Sequence, residues 1–112
     1  MSAQDTFDEL AAEHLARGRA TLGKMMNSEG LRAGEKGPYY ALVSRGRLVL
    51  KLPATQAAEL VADGEAVPFE PSPGRKMREW VALRPTRTPE GDRARWRELL
   101  ADARAYAGDV DP

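Results

Sequence analysis

The sequence predicts an α+β fold, a two-layer sandwich in which helices pack on an antiparallel sheet. Three observations predict it. Apolar residues recur at helical spacing in three segments, and they alternate with polar residues in a strand between the first two. The links between neighbouring strands are short, which favours antiparallel pairing, and three apolar helix stripes need one sheet face to pack against. We therefore expect one domain over residues 1–112, in the order helix, two or three strands, helix, two strands, helix.

The first helix is predicted over residues 5–20. Thr6 and Glu9 have the spacing of a capping box, and Ser2 with Asp5 offers an alternative start one turn earlier. One face of this helix carries the apolar stripe, formed by Phe7, Leu10, Ala11, His14, Leu15 and Gly18. His14 is the only histidine of the chain and lies on that stripe, so we interpret it as a packed residue without a chemical role.

The sheet is predicted between residues 24 and 84. It begins with a short strand over 24–28, followed by a loop over 29–38 that contains three glycines and a proline. Strands over 39–44 and 47–52 flank a two-residue turn, Arg45-Gly46. In the second of these strands Leu48, Leu50 and Leu52 alternate with Arg47, Val49 and Lys51, the pattern of a strand with one buried face.

A second helix is predicted over residues 54–63, inserted into the sheet and closed by Gly64. Residues 66–69 are predicted to form a brief strand or extended segment, and Pro68, Pro71 and Pro73 exclude a central place in the sheet. Residues 79–84 form the last strand. The third helix is predicted over 88–107, with Thr88 and Pro89 at its start. Both tryptophans, Trp80 and Trp96, lie in apolar stripes and are predicted to pack in the core.

Composition excludes several classes of site. The chain has no cysteine, and its acids and single histidine show no spacing suited to a metal, so we expect no metal and no cofactor. Its glycines match no phosphate-binding motif, and no nucleophile is paired with a base, so we expect no enzyme activity. The N-terminal residues lack the apolar core of a signal peptide and no apolar run approaches the length of a membrane span. A cytoplasmic protein without membrane contact is expected.

Charge is balanced over the chain but uneven along it. There are 17 basic and 17 acidic residues, yet residues 71–97 hold eight bases and three acids. Such a segment is either a basic face for a polyanion or a solvated surface whose arginines pair with acids. Whether these arginines lie together or pair with acids such as Glu59, Asp63 and Glu65 decides between the two.

Several segments together resemble the small bacterial proteins grouped as TfoX N-terminal-like or MmcQ/YjbR-like. The segments are GKMMNSEGL (23–31), PYYALV (38–43), GRLVLKLP (46–53), AAELVADGEAVPFEP (57–71) and GRKMREWVAL (74–83). The resemblance implies the order α-β(3)-α-β(2)-α for a single domain of this family over 1–112. Members are often described as DNA-binding or related to competence regulators, so the resemblance also implies a transcription-linked role.

Two hypotheses for function follow. The first is a non-enzymatic DNA-binding or transcription-linked accessory protein, which contacts phosphates through arginines and binds more weakly as salt rises. Its predicted contact residues are Arg45, Arg47, Arg75, Lys76, Arg78, Arg84 and Arg87. The alternative is a protein-interaction module, a homodimer or an adaptor, that uses a sheet edge or the region of Tyr39 and Tyr40.

Overall fold

The computed structural model describes residues 2–25, 28–72 and 74–110, apart from the side chains of residues 25, 72, 75, 76, 109 and 110. The elements in chain order are α1 (Ala3–Ala16), β1 (Thr21–Met25), β2 (Ser28–Arg32), β3 (Tyr39–Ser44), β4 (Arg47–Lys51), α2 (Ala54–Ala62), β5 (Ala66–Ser72), β6 (Arg75–Leu83) and α3 (Pro89–Val110). The strands form one antiparallel sheet in the order β1-β2-β3-β4-β6-β5. The predicted α+β sandwich is confirmed.

Four strands precede α2, one more than the three that the family resemblance implies. The predicted loop over residues 29–38 was wrong at its start, because β2 occupies Ser28–Arg32. The predicted strand over 24–28 instead spans the end of β1 and the start of β2, and its Met26 and Asn27 lie outside the described residues. The strand β2 does not show the alternation of apolar and polar side chains that is typical of a strand, because Gly30 has no side chain. Gly30 pairs with Gly23 of β1, which has none either.

The helices begin and end close to the predicted residues. Of the two predicted starts for α1, the structure has the earlier one: the Ser2 hydroxyl accepts from the Asp5 backbone N–H, and the Asp5 carboxylate accepts from the Ser2 N–H. This capping box satisfies two backbone donors at the helix start. The last residue of α1 is Ala16, four residues before the predicted end. Gly64 follows α2 with φ +80°, as predicted for the residue that closes this helix.

The main core lies between the sheet and the helices α1 and α3, which cover β3 and β4. Leu48, Leu50 and Leu52 point to this helix face and are fully buried, which confirms their predicted alternation. Trp96 of α3 is 5% exposed and packs in the same core, while Trp80 is equally buried on the opposite, outer face of the sheet. The prediction that both tryptophans serve packing is confirmed.

The outer face of the sheet is also partly buried, which the sequence did not indicate. Val49, expected on the open side of its strand, is fully buried in a second cluster with Leu42, Phe69 and Trp80. The cause lies in the β5–β6 hairpin, where the pair Pro68–Val81 is followed directly by Phe69–Met77. Residues 78–80 of β6 therefore have no partner in β5, and such an irregularity bends a hairpin. Phe69 is thereby placed against the outer face.

The two edge strands are β1 and β5. Pro68 and Pro71 lie in β5, so the prediction that these two prolines exclude a central place is confirmed, whereas Pro73 lies outside the described residues. The strand β3 lies in the middle of the sheet, so Tyr39–Ser44 is not one of the sheet edges that the alternative hypothesis could use. In the region of Tyr39 and Tyr40, Tyr40 is fully buried and Tyr39 is half-buried.

Candidate nucleic-acid interface

The turn between β3 and β4 presents two of the predicted arginines. Arg45 and Gly46 both have positive φ, 53° and 77°, the geometry of a tight two-residue hairpin whose twist matches the flanking strands. The pair Ser44–Arg47 closes it. The side chains of Arg45 and Arg47 are exposed, and Nη1 of Arg45 donates to the Glu70 carbonyl oxygen at 3.3 Å. That bond connects the turn to the β5–β6 hairpin.

Strand register brings Arg84 to the same end of the sheet. Val49 of β4 pairs with Ala82 of β6 in antiparallel register. Arg47 lies two residues before Val49 and Arg84 two residues after Ala82, just past the end of β6, so both lie at the same end of these strands. Val49 and Ala82 both belong to the outer-face cluster, and side chains two residues apart share a face. The Arg84 backbone N–H donates to the Glu65 carbonyl at 2.9 Å, which fixes this position beyond the end of β6.

Arg87 follows three residues later, in the link between β6 and α3. The carboxylate of Asp92 holds this link: it accepts from the Thr86 backbone N–H at 2.8 Å and from the Thr86 hydroxyl at 2.6 Å. The Thr86 hydroxyl in turn accepts from the backbone N–H of Thr88. Arg87 is exposed and lies between these two anchored residues, so its backbone is fixed while its side chain reaches solvent.

Arg45, Arg47, Arg84 and Arg87 are called the hairpin-end arginines below. Within the described part of the chain, none of the four forms an ion pair with an acid. Arg47 and Arg84 lie at the same end of adjacent strands, and like charges brought close together repel each other. An anion bound between them would relieve that repulsion.

The remaining predicted residues lie elsewhere or outside the described part. Arg78 is exposed beside α2, where it lines a groove with Ala58 and Trp80, and it does not join the hairpin-end arginines. The backbone of Arg75 pairs with Ser72 in the β5–β6 hairpin. The side chains of Arg75 and Lys76 lie outside the described residues. The seven predicted contact residues therefore do not all form one surface.

Three arginines of α3, unlike the hairpin-end arginines, form ion pairs with acids. Arg93 contacts Glu9 at 2.9 Å, Arg95 contacts Glu65 at 2.9 Å, and Arg97 contacts Glu13 at 2.9 Å. The hydrogen bond from Arg97 lowers the pKa of Glu13 below its usual value. These pairs join α3 to α1 and to the start of β5, so this part of the basic segment is a paired surface.

Acidic residues limit the basic surface on its helix side. A cleft of about 550 Å³ between α2, the end of β6 and the start of α3 is lined by Asp63, Glu65 and Asp92 together with Arg84 and Arg95. Because these carboxylates lie on the helix side of Arg84, a polyanion would be repelled there.

Sequence reasoning missed one further basic residue on the outer face. The guanidinium carbon of Arg32 lies 5.1 Å from the centre of the Tyr39 ring, and its Nε donates to the Gly37 carbonyl. The Tyr39 ring lies across Gly30 and Gly23, where a side chain would collide with it. The only signal in the sequence was the pair of glycines, whose role depends on strand pairing. Arg32 lies near Tyr39, at the opposite end of β3 from the turn.

The only histidine is buried, as predicted. A register shift between β2 and β3 at Tyr40 turns this side chain into the helix-side core, where its hydroxyl lies 2.7 Å from Nδ1 of His14. Burial, with smaller effects from Arg19 and Arg104, lowers the pKa of His14. Burial raises the pKa of Tyr40 to about 12. Both side chains are therefore neutral near pH 7, in a site without a solvent-exposed approach.

Residues 2–25, 28–72 and 74–110 contain no helix that is long and apolar enough to cross a membrane. Over the same described ranges, no three acidic or histidine side chains come together as metal ligands would. Compared with known proteins, the chain matches no family model, no curated protein and no solved structure. Membership in the TfoX N-terminal-like or MmcQ/YjbR-like group stays a prediction.

Proposed function

We propose that this protein binds the phosphate backbone of double-stranded DNA through the hairpin-end arginines, as a non-enzymatic accessory protein. The observation that carries the proposal is that Arg47, the first residue of β4, and Arg84, directly after β6, lie at the same end of two adjacent strands. Both are exposed and neither is paired with an acid among the described residues. Guanidinium groups hold phosphate oxygens with two parallel hydrogen bonds, so two neighbouring arginines can hold successive phosphates.

The proposed contact is with the backbone and does not read base sequence. A helix that reads bases enters the major groove with polar side chains free to reach base edges. Here three arginines of α3 are paired with Glu9, Glu65 and Glu13, and the fourth, Arg104, donates to the Arg19 carbonyl. The helix α2 has no basic residue. Phosphate contacts position a protein on a duplex but carry no sequence information directly.

The test compares two variants of matched charge in fluorescence-anisotropy titrations of a labelled duplex. Replacing Arg47 and Arg84 together by glutamine should weaken binding by about tenfold or more and lower the slope of log K against log salt by about 1.8 in magnitude. The control replaces Arg95 and Arg97 by glutamine, because both are exposed but already paired with acids. The proposal fails if the control pair weakens binding as much as the Arg47/Arg84 pair.

The alternative, a protein-interaction module, is supported by a different surface. The groove beside α2 is apolar and carries Arg78, the predicted contact residue that lies apart from the other arginines.

A further inference from the structure

A groove of about 420 Å³ separates α2 from the β5–β6 hairpin. The lining comprises Ala54, Ala57, Ala58, Val61, Ala62, Pro68, Met77, Arg78, Trp80 and Val81. Among these described residues Arg78 alone carries a charge. Arg78 and Trp80, which line the groove on its hairpin side, belong to residues 78–80 of β6, which have no partner in β5.

A second hollow of about 450 Å³ adjoins the groove on the exposed side of α2. It shares Ala54, Ala58, Ala62 and Arg78 with the groove and adds Thr55 and Glu59. Arg78 therefore stands between the two hollows. Although Glu59 lines the same hollow, no ion pair joins it to Arg78 within the described chain. An apolar surface thus carries one unpaired base and, beside it, one unpaired acid.

We propose that this groove receives α2 of a second copy of the chain, related to the first by a twofold axis. An occupant must be narrow, apolar and able to offer a carboxylate to Arg78. The exposed side of α2 has these properties: Ala58 and Ala62 are small and exposed, Glu59 lies next to them, and the helix has no basic residue.

Under twofold symmetry both charged groups, Arg78 and Glu59, form ion pairs across the contact. In an isologous contact each residue pair occurs twice, so Arg78 of each copy meets Glu59 of the other. Small side chains on the two helices allow their axes to approach to about 8 Å, the close limit of helix packing. The contact removes the half-buried side chains of Met77 and Val61 from water, which supplies the apolar part of the association.

This inference goes beyond the proposed DNA contact and does not depend on it. The groove lies beside α2, whereas Arg45 and Arg47 lie at the β3–β4 turn. A dimer that formed through the groove would leave the hairpin-end arginines of both copies exposed. Loss of the dimer and loss of DNA binding can therefore be measured separately.

The test is sedimentation equilibrium of the full chain over a concentration series. The wild type is expected to show a concentration-dependent dimer. Arg78→Glu and Glu59→Arg should each raise the dissociation constant about tenfold or more, because each places like charges across the axis twice. An equimolar mixture of the two variants should recover the wild-type value to within about threefold, since every contact between unlike copies is then complementary.

Two controls complete the design. Lys36→Glu makes the same charge change in the exposed link between β2 and β3, away from the groove, and should leave the dimer unchanged. Circular dichroism of each variant checks that it is folded, and Glu59 is an exposed helix residue whose replacement keeps the helix. A wild type that stays monomeric up to about 1 mM would overturn the proposal, since association weaker than this is non-specific. The proposal would also be overturned if neither charge change altered the dissociation constant of the dimer, or if the mixture of the two variants did not recover the wild-type dissociation constant.

Discussion

Replacing Arg45 by asparagine should stabilise the protein while weakening its binding to DNA. Arg45 has φ 53°, a left-handed conformation that costs an ordinary residue about 1–2 kcal/mol. Asparagine adopts this conformation far more readily and is a preferred residue ahead of glycine in such a turn. The replacement also removes the exposed hydrogen bond from Arg45 to the Glu70 carbonyl, worth about 0.5–1 kcal/mol. The expected net gain in the free energy of unfolding is about 0.5–1 kcal/mol.

Urea denaturation and thermal unfolding measure this gain, which corresponds to a rise in melting temperature of roughly 2–5 °C for a chain of this size. Arg47→Asn is the matched control. It removes the same charge two residues further along the chain, and Arg47 lies in a strand, where asparagine is disfavoured. Both variants should lower the salt slope of DNA binding by about 0.9 in magnitude. If Arg45→Asn is no more stable than Arg47→Asn, the turn is not strained and the reasoning is refuted.

Three further predictions concern buried groups. The pKa of His14 is lowered in the folded chain, so the unfolded chain binds the His14 proton more tightly. The contribution of His14 to the free energy of unfolding should therefore be fully present above about pH 6.5 and fall as the pH drops below it. Urea denaturation between pH 7.5 and 5.5 measures this fall, and His14→Gln should abolish it. Tyr40→Phe leaves His14 without its buried partner and should cost about 1–3 kcal/mol in the free energy of unfolding; a cost below about 0.5 kcal/mol would contradict the bond. Asp92→Ala removes both bonds to Thr86 and should lower the melting temperature by roughly 4–8 °C, whereas an unchanged temperature would show that the link is not held by them.

The fold class could be predicted because its signals are local. The alternation of Leu48, Leu50 and Leu52 determines which face of β4 is buried, and Gly64 marks the end of α2. The extra strand β2 could not be predicted, since Gly30 contributes no side chain and its place in the sheet depends on pairing with Gly23. The burial of Val49 likewise depends on a hairpin that is distant in sequence.

The candidate site was predictable only in part, for a related reason. A basic segment is visible in the sequence, but its pairing is not: Arg97 contacts Glu13, 84 residues away. The neighbourhood of Arg47 and Arg84 follows from the place of β6 beside β4, which no local pattern indicates. Arg78 lies in β6, the strand that Arg84 follows, but its position beside α2 sets it apart from the other arginines. The composition of this segment indicates a basic face, but the arginines that form it can be identified only from the sheet topology.

The central claim is that the hairpin-end arginines hold phosphates, and the salt dependence of DNA affinity tests it most directly. Anisotropy titrations of the wild type with one duplex at several salt concentrations yield the slope of log K against log salt. Four neutralised phosphates predict a linear dependence with a slope of about −3.6. Absence of binding at low salt, or binding whose affinity does not change with salt, would contradict the claim.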